Sequence, residues 1–167
     1  IIHTPGRFGR VAAKLVKTDR PVMFTKRDMT VPDIIIGENN EKWAAIRVIN
    51  TTEKALKDLT LRATFDGGQS VSYKTDDIMP LHVRKLKYKL PAVPNGTPGE
   101  LTAKIEVLDK SGKVIDQTEI KLRHVLPSVH HERTFVSNID GSVQYYSVTP
   151  AIRESVGETK AMVLTVH

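Results

Sequence analysis

Acyl-transfer chemistry needs a nucleophile held on a strained strand-to-helix turn, usually inside Gly-x-Ser-x-Gly, with acid and histidine partners later in the chain. Gly141-Ser142 and Gly68-Gln69-Ser70 come nearest to that motif, and neither completes it. The chain has no cysteine, which removes thiol nucleophiles, thiolate metal sites and disulfides together. His130-His131 could seed a zinc site, with His124 or Glu132 converging across a turn, but adjacent residues on a strand face opposite ways. Asp76-Asp77, with Glu38 or Asp66, would offer calcium its oxygen ligands, yet no Asp-x-Asp-x-Asp-Gly loop is present. No catalytic residue, bound metal or cofactor is therefore expected of this chain.

Binding chemistry has better candidates. Lys85, Lys87 and Lys89 alternate in the densest basic run, so on a strand they share one face at intervals of about 6.6 Å. Such a row could meet an acidic polysaccharide, and it is also how an edge strand discourages pairing with other chains. Trp43, Tyr73, Tyr145 and Tyr146 could stack on a sugar ring, while Trp43 heads an apolar run that suits core or interdomain packing. Tyr145 and Tyr146, being neighbours, cannot both face one ligand from a strand.

The elements that must hold these residues are strands. Asp33 to Leu122 reads as short period-two segments between turn signals, the rhythm of a β-sandwich. Leu59, Leu61, Ala63 and Phe65 alternate with Thr60, Arg62 and Thr64. Leu101, Ala103, Ile105 and Val107 lead through Asp109-Lys110-Ser111-Gly112 to Val114–Leu122, which predicts a hairpin. In Leu81–Leu90 the apolar phase changes, and a β-bulge near Arg84-Lys85 is the expected cause. The Pro91–Gly99 stretch must be a loop. Arg133–Ser137 and Val143–Val148 flank Asp140-Gly141, a second hairpin signal. Near the N-terminus, Val11–Val16 is read as a strand, and Lys160–His167 as an apolar strand suited to burial on both faces of a parallel sheet.

Thr134–Val148, followed by Ala161–His167, resembles the entry to an α/β-hydrolase domain in large secreted bacterial esterase- or peptidase-like proteins. The resemblance implies that His167 opens the turn whose backbone N–H groups help to form an oxyanion hole. Asp33–Leu122, with Trp43–Thr51 and Leu59-Thr60-Leu61 as its second and third strands, is similar to the immunoglobulin- or fibronectin-like modules that precede such catalytic domains. The expected architecture is thus mainly β, an antiparallel immunoglobulin/fibronectin-like sandwich followed by a hairpin and one further strand of a truncated second domain. Its expected divisions are 1–32 as an N-terminal extension or first strands, 33–124 as the sandwich, 125–132 as a solvated linker and 133–167 as the hydrolase opening.

The function expected on these grounds is that of a non-catalytic module that precedes and positions a hydrolase domain, the parent protein being an exported bacterial α/β-hydrolase in the periplasm or at the cell surface. The alternative is a carbohydrate- or cell-wall-binding module built on Trp43, Lys85, Lys87, Lys89 and Tyr146. The expected partners are the catalytic domain of the same polypeptide, a polysaccharide under the alternative, and a second copy through the terminal strand. The net charge of +6 comes from 25 Lys and Arg against 19 Asp and Glu, scattered through strands beside acidic residues, so nucleic acid is not an expected partner. No segment has the roughly 20 consecutive apolar residues of a membrane-spanning helix.

Overall fold

The computed structural model describes residues 20–66 and 68–151, and every regular element among them is a strand. In chain order these are β1 (Val22–Thr30), β2 (Ile34–Ile35), β3 (Lys42–Asn50), β4 (Thr60–Phe65), β5 (Ser70–Lys74), β6 (Val83–Leu90), β7 (Gly99–Leu108), β8 (Val114–Val125), β9 (His131–Val136) and β10 (Val143–Val148). The strands predicted over Val11–Val16 and Lys160–His167, and with them His167, lie outside the described residues.

Alternation decides which way each strand faces. On β3, Ala44, Ile46, Val48 and Asn50 are buried on one parity; Leu61, Ala63 and Phe65 do the same on β4, and Leu86, Tyr88 and Leu90 on β6. These faces turn toward one another across two sheets, ordered β1-β3-β6 and β2-β8-β7-β4-β5. Ile46, Val48, Leu86 and Tyr88 from the smaller sheet meet Leu61, Ile105, Val107, Ile120 and Leu122 from the larger in one core. Each fully buried aliphatic side chain there contributes roughly 1.5–3 kcal/mol of transfer free energy. Pairing is antiparallel except between β2 and β8, where Ile34 and Ile35 run parallel to His124 and Val125.

The order is that of an immunoglobulin-like sandwich. Strands β1, β3 and β6 take the A, B and E positions of one sheet, β4, β7 and β8 the C, F and G positions of the other, and β5 extends the second sheet beside C. The predicted hairpin of β7 and β8 is present, its turn closed by Gly112 in the left-handed region at φ 83°.

The bulge expected near Arg84-Lys85 is absent. Strand β6 pairs with β3 without interruption from Val83↔Ile49 to Leu90↔Lys42. The change of apolar phase arises because Leu81 belongs to the preceding turn, with φ at 56°, so its parity says nothing about the strand. Register shifts occur instead on β1, between Thr25 and Thr30, and between β7 and β8 near Leu108.

Strands β9 and β10 form the second predicted hairpin, turned by Gly141 at φ 67°. They do not join either sheet but lie against the sandwich. Asp33 N–H donates to the Glu132 carbonyl at 2.9 Å, and Glu132 N–H returns a bond to Asp33 Oδ2 at 2.8 Å. Lys85 Nζ donates to the Val143 carbonyl at 3.1 Å, and Thr134 Oγ1 donates to the carbonyl of Trp43. Val143 and His131 are buried, and so is Ala45, although Ala45 sits on the outward parity of β3. A covered outward residue is the mark of a sheet with something packed on its second face.

Candidate functional site

The row of lysines and the single tryptophan come together on the outward face of the β1-β3-β6 sheet. Trp43, Ala45 and Arg47 on β3 stand opposite Lys89, Lys87 and Lys85 on the edge strand β6. Lys87 Nζ is 5.5 Å and Lys89 Nζ 5.4 Å from the centre of the Trp43 ring, distances at which an ammonium is attracted by the ring's negative face. Tyr73, on the edge strand β5 of the other sheet, brings its ring to 6.0 Å from Trp43 at 52°. Glu41 closes the group by accepting from Lys89 at 2.7 Å, and that hydrogen bond raises the Lys89 ammonium above its ordinary pKa. The Trp43 ring is therefore met by two cations rather than left bare.

Lys85 belongs to a different task. Its ammonium reaches the Val143 carbonyl and ties β6 to the β9–β10 hairpin. Tyr146 also sits apart from the tryptophan cluster, its ring 6.2 Å from Phe135 on the hairpin. Phe135, Tyr145 and Tyr146 are all exposed, with Ile139 fully exposed at the tip. Phe135 is not among the sequence candidates, although its place one residue from Val136 on a hairpin strand puts it on the opposite face.

His124, His130 and His131 are held in three different ways. His124 is buried; its Nε2 donates to the Val93 carbonyl at 3.0 Å, and its ring packs so closely on Gly96 that a Cβ there would lie 2.6 Å from the ring carbon. The Pro91–Gly99 loop is thereby pinned to β8. His130 is exposed, bonded to Thr149 Oγ1 at 2.9 Å. His131, assigned by the sequence pattern to a solvated linker, is instead buried in the first position of β9. It joins Arg133, Glu38 and Lys42 in a continuous polar network. Partial burial pushes the Glu38 carboxyl up, but hydrogen bonds from Lys42 and Arg133 outweigh it and hold the group below the usual carboxylate range. Nothing local in the sequence signals this network, because Glu38 and Arg133 are 95 residues apart.

The residues that came nearest to a nucleophile or metal site are dispersed. Ser142 Oγ donates to Asp140 Oδ1 at 2.7 Å within the hairpin turn, and its hydroxyl and backbone N–H hold the Asp140 carboxyl down. Ser70 faces Thr64 across β4 and β5. Asp76 pairs with Arg84 while Asp77 pairs with Lys57 at 3.6 Å, so the two acids do not converge. Among the described residues no three histidine or carboxylate side chains are grouped as metal ligands. Among them, too, no helix is long and apolar enough to cross a membrane.

No family model and no curated protein matches the chain. Among solved structures it is similar to the CARDB domain of PF1109 from Pyrococcus furiosus in solution, with 14% identity and a TM-score of 0.46 over 63% of this chain and 94% of that one. A crystal structure of the same domain in complex with di-metal ions aligns at 15% identity and a TM-score of 0.40, covering 59% and 88% of the two chains. The alkylpurine DNA glycosylase AlkC of Pseudomonas fluorescens, bound to DNA containing an abasic site analog, aligns at 15% identity and a TM-score of 0.42, covering 62% of this chain and 31% of that one. The immunoglobulin-like assignment rests on the chain's own strand order and core.

Proposed function

We propose that this chain is a non-catalytic sandwich module that precedes and positions an esterase- or peptidase-like hydrolase domain within a larger exported bacterial protein, at the periplasm or cell surface. The observation that carries the reading is the docked hairpin. A module that only occupied space could leave β9 and β10 free, whereas here the two reciprocal hydrogen bonds between Asp33 and Glu132, the Lys85 tie and the Thr134 tie hold them to the sandwich. The polypeptide leaving Val148 then starts from a defined position and direction. In this reading residues 33–124 are the spacer, and the hairpin is the first element of the domain that it presents.

Two measurements test the proposal. The purified chain should release no product from nitrophenyl acetate or a peptide anilide above buffer, and turnover abolished by Ser142→Ala would overturn the non-catalytic part. In the longer polypeptide that the reading requires, Lys85→Met with Thr134→Val should lower hydrolase turnover while the sandwich stays folded by circular dichroism. Unchanged turnover would refute positioning.

The alternative, a carbohydrate- or cell-wall-binding module, is favoured by one arrangement, the Trp43, Tyr73, Lys87 and Lys89 cluster. Against it, the two ammoniums occupy the ring on which a sugar would stack. Saturable retention on insoluble cell-wall polysaccharide at physiological salt, lost on Trp43→Ala, would decide for this alternative.

A further inference from the structure

The partners of His131 assign its tautomer. Its Nδ1 lies 2.7 Å from the Val129 carbonyl oxygen, which can only accept, so Nδ1 carries the hydrogen. Its Nε2 lies 3.1 Å from Arg133 Nε, and a guanidinium can only donate, so Nε2 must present a lone pair. The ring is thus neutral, and it is 2% exposed. A proton on Nε2 would turn the acceptor into a donor aimed at a donor.

The surroundings offer that proton little compensation. Arg133 is ion-paired with Glu38, and the same carboxylate already holds Lys42, so one negative charge serves two positive ones. Opposite His131 on β10 stands Val148, which has no polar side chain. The Glu132 carboxylate accepts from Ser147 at 2.7 Å and lies 3.7 Å from His130. Asp33, ahead of β2, receives the Glu132 N–H and faces Arg123 Nε of β8 at 3.4 Å. An imidazolium at His131 would be a third cation beside the Glu38 carboxylate that Arg133 and Lys42 already share.

We propose that His131 is an acid-sensitive latch, which in its neutral form holds the β9–β10 hairpin on the sandwich through Arg133 and Glu38 and on protonation releases it. Histidine is the side chain whose charge changes in the mildly acidic range, and a buried histidine at a docking contact converts that change into movement. The consequence for an attached domain rests on the positioning role proposed above; the latch itself does not.

The test monitors histidine side-chain nitrogens and backbone amide exchange by NMR on the intact chain, at about pH 7.5 and about pH 5. At the higher pH His131 should show the Nδ1–H neutral tautomer. At the lower pH, after correction for intrinsic exchange, the Glu132 amide, whose N–H is held by Asp33 Oδ2 across the docking contact, should lose protection by roughly tenfold or more, while Ile105 and Val107 in β7 keep theirs. His131→Asn, which can still donate to Val129 but takes no proton, should abolish the pH response, and His130→Asn should preserve it. If His131→Asn does not fold, the native chain still decides, because imidazolium formation and loss of Glu132 protection must titrate together. An Nε2–H tautomer, a charged ring at the higher pH, unchanged Glu132 protection, or a response surviving in His131→Asn would each overturn the latch. Loss of protection confined to the Pro91–Gly99 loop would assign the response to His124 instead. Acid release with hydrolase turnover unaltered would leave the latch standing and remove the positioning role.

Discussion

The two outward faces of the sandwich are built on opposite plans. On the larger sheet the outward side chains are polar and answer to one another: Glu106 accepts from Arg62 at 2.8 Å and pairs with Lys104 at 2.8 Å, and Lys121 pairs with Glu100 at 2.7 Å. On the smaller sheet the outward residues include a buried alanine and a tryptophan, and a hairpin lies against them. An antiparallel sheet needs only one dry face to fold. A second covered face is thus surplus to making a sandwich, and its chemistry is where this protein differs from a plain one.

The sharpest way to break that contrast is to place the same charge on each face. Ala45→Glu puts a carboxylate under the hairpin and should cost about 2–4 kcal/mol or free the hairpin outright, whereas Thr64→Glu on the outward face of β4 should stay within about 0.5 kcal/mol. Urea unfolding, with amide exchange on the hairpin, separates the two outcomes. Equal costs would mean that the faces are alike.

Glu106 and Glu38 offer a comparison by pH. The hydrogen bond from Arg62 outweighs burial and holds the Glu106 carboxyl below its ordinary range; at Glu38 burial opposes, and Lys42 and Arg133 prevail. A carboxylate whose folded pKa is depressed adds stability above its unfolded value, and that stability is lost as pH falls through the folded value. Both faces should therefore weaken on acidification below the usual carboxylate range. Glu106→Gln should flatten the acid limb of the urea-midpoint profile by about 1–2 kcal/mol without touching hairpin exchange, and Glu38→Gln should act on the hairpin first.

Tyr88 lies beneath both faces and distinguishes neither. Its hydroxyl is buried with no hydrogen-bond partner among the described residues, and burial drives its pKa up. Tyr88→Phe removes an unsatisfied group at almost constant volume, so thermal unfolding should show a gain of up to about 1 kcal/mol. A clear loss would point to a buried partner for that oxygen.

The smallest effect is expected where the sequence draws most attention. Lys87→Gln with Lys89→Gln should leave the urea midpoint nearly unchanged, because exposed charges contribute little, yet shift the emission of the single tryptophan whose ring they face. A large fall in stability would give the basic row a structural weight that its exposure does not suggest.

Within Asp33–Leu122, sequence alone determined the strands and their inward faces. Leu61, Phe65, Ile105 and Val107 share a core as their pattern predicts, because period-two alternation is a local property of the chain. The Asp-Gly and Ser-Gly turns are legible for the same reason, since left-handed backbone asks for glycine at a particular position. The Leu81–Leu90 segment shows the limit of that logic: alternation read one residue too far turns a tight turn at Leu81 into a bulge that is not there. Tertiary structure alone decided what lies outside the core. That the Lys85 ammonium ties down the hairpin while Lys87 and Lys89 face Trp43, that Asp33 meets Glu132, and that His131 is dry beside Arg133 and Glu38 all depend on contacts between residues tens of positions apart. Polar partners at that distance leave no periodic trace in a sequence, because only the folding of one strand onto another brings donor and acceptor within reach.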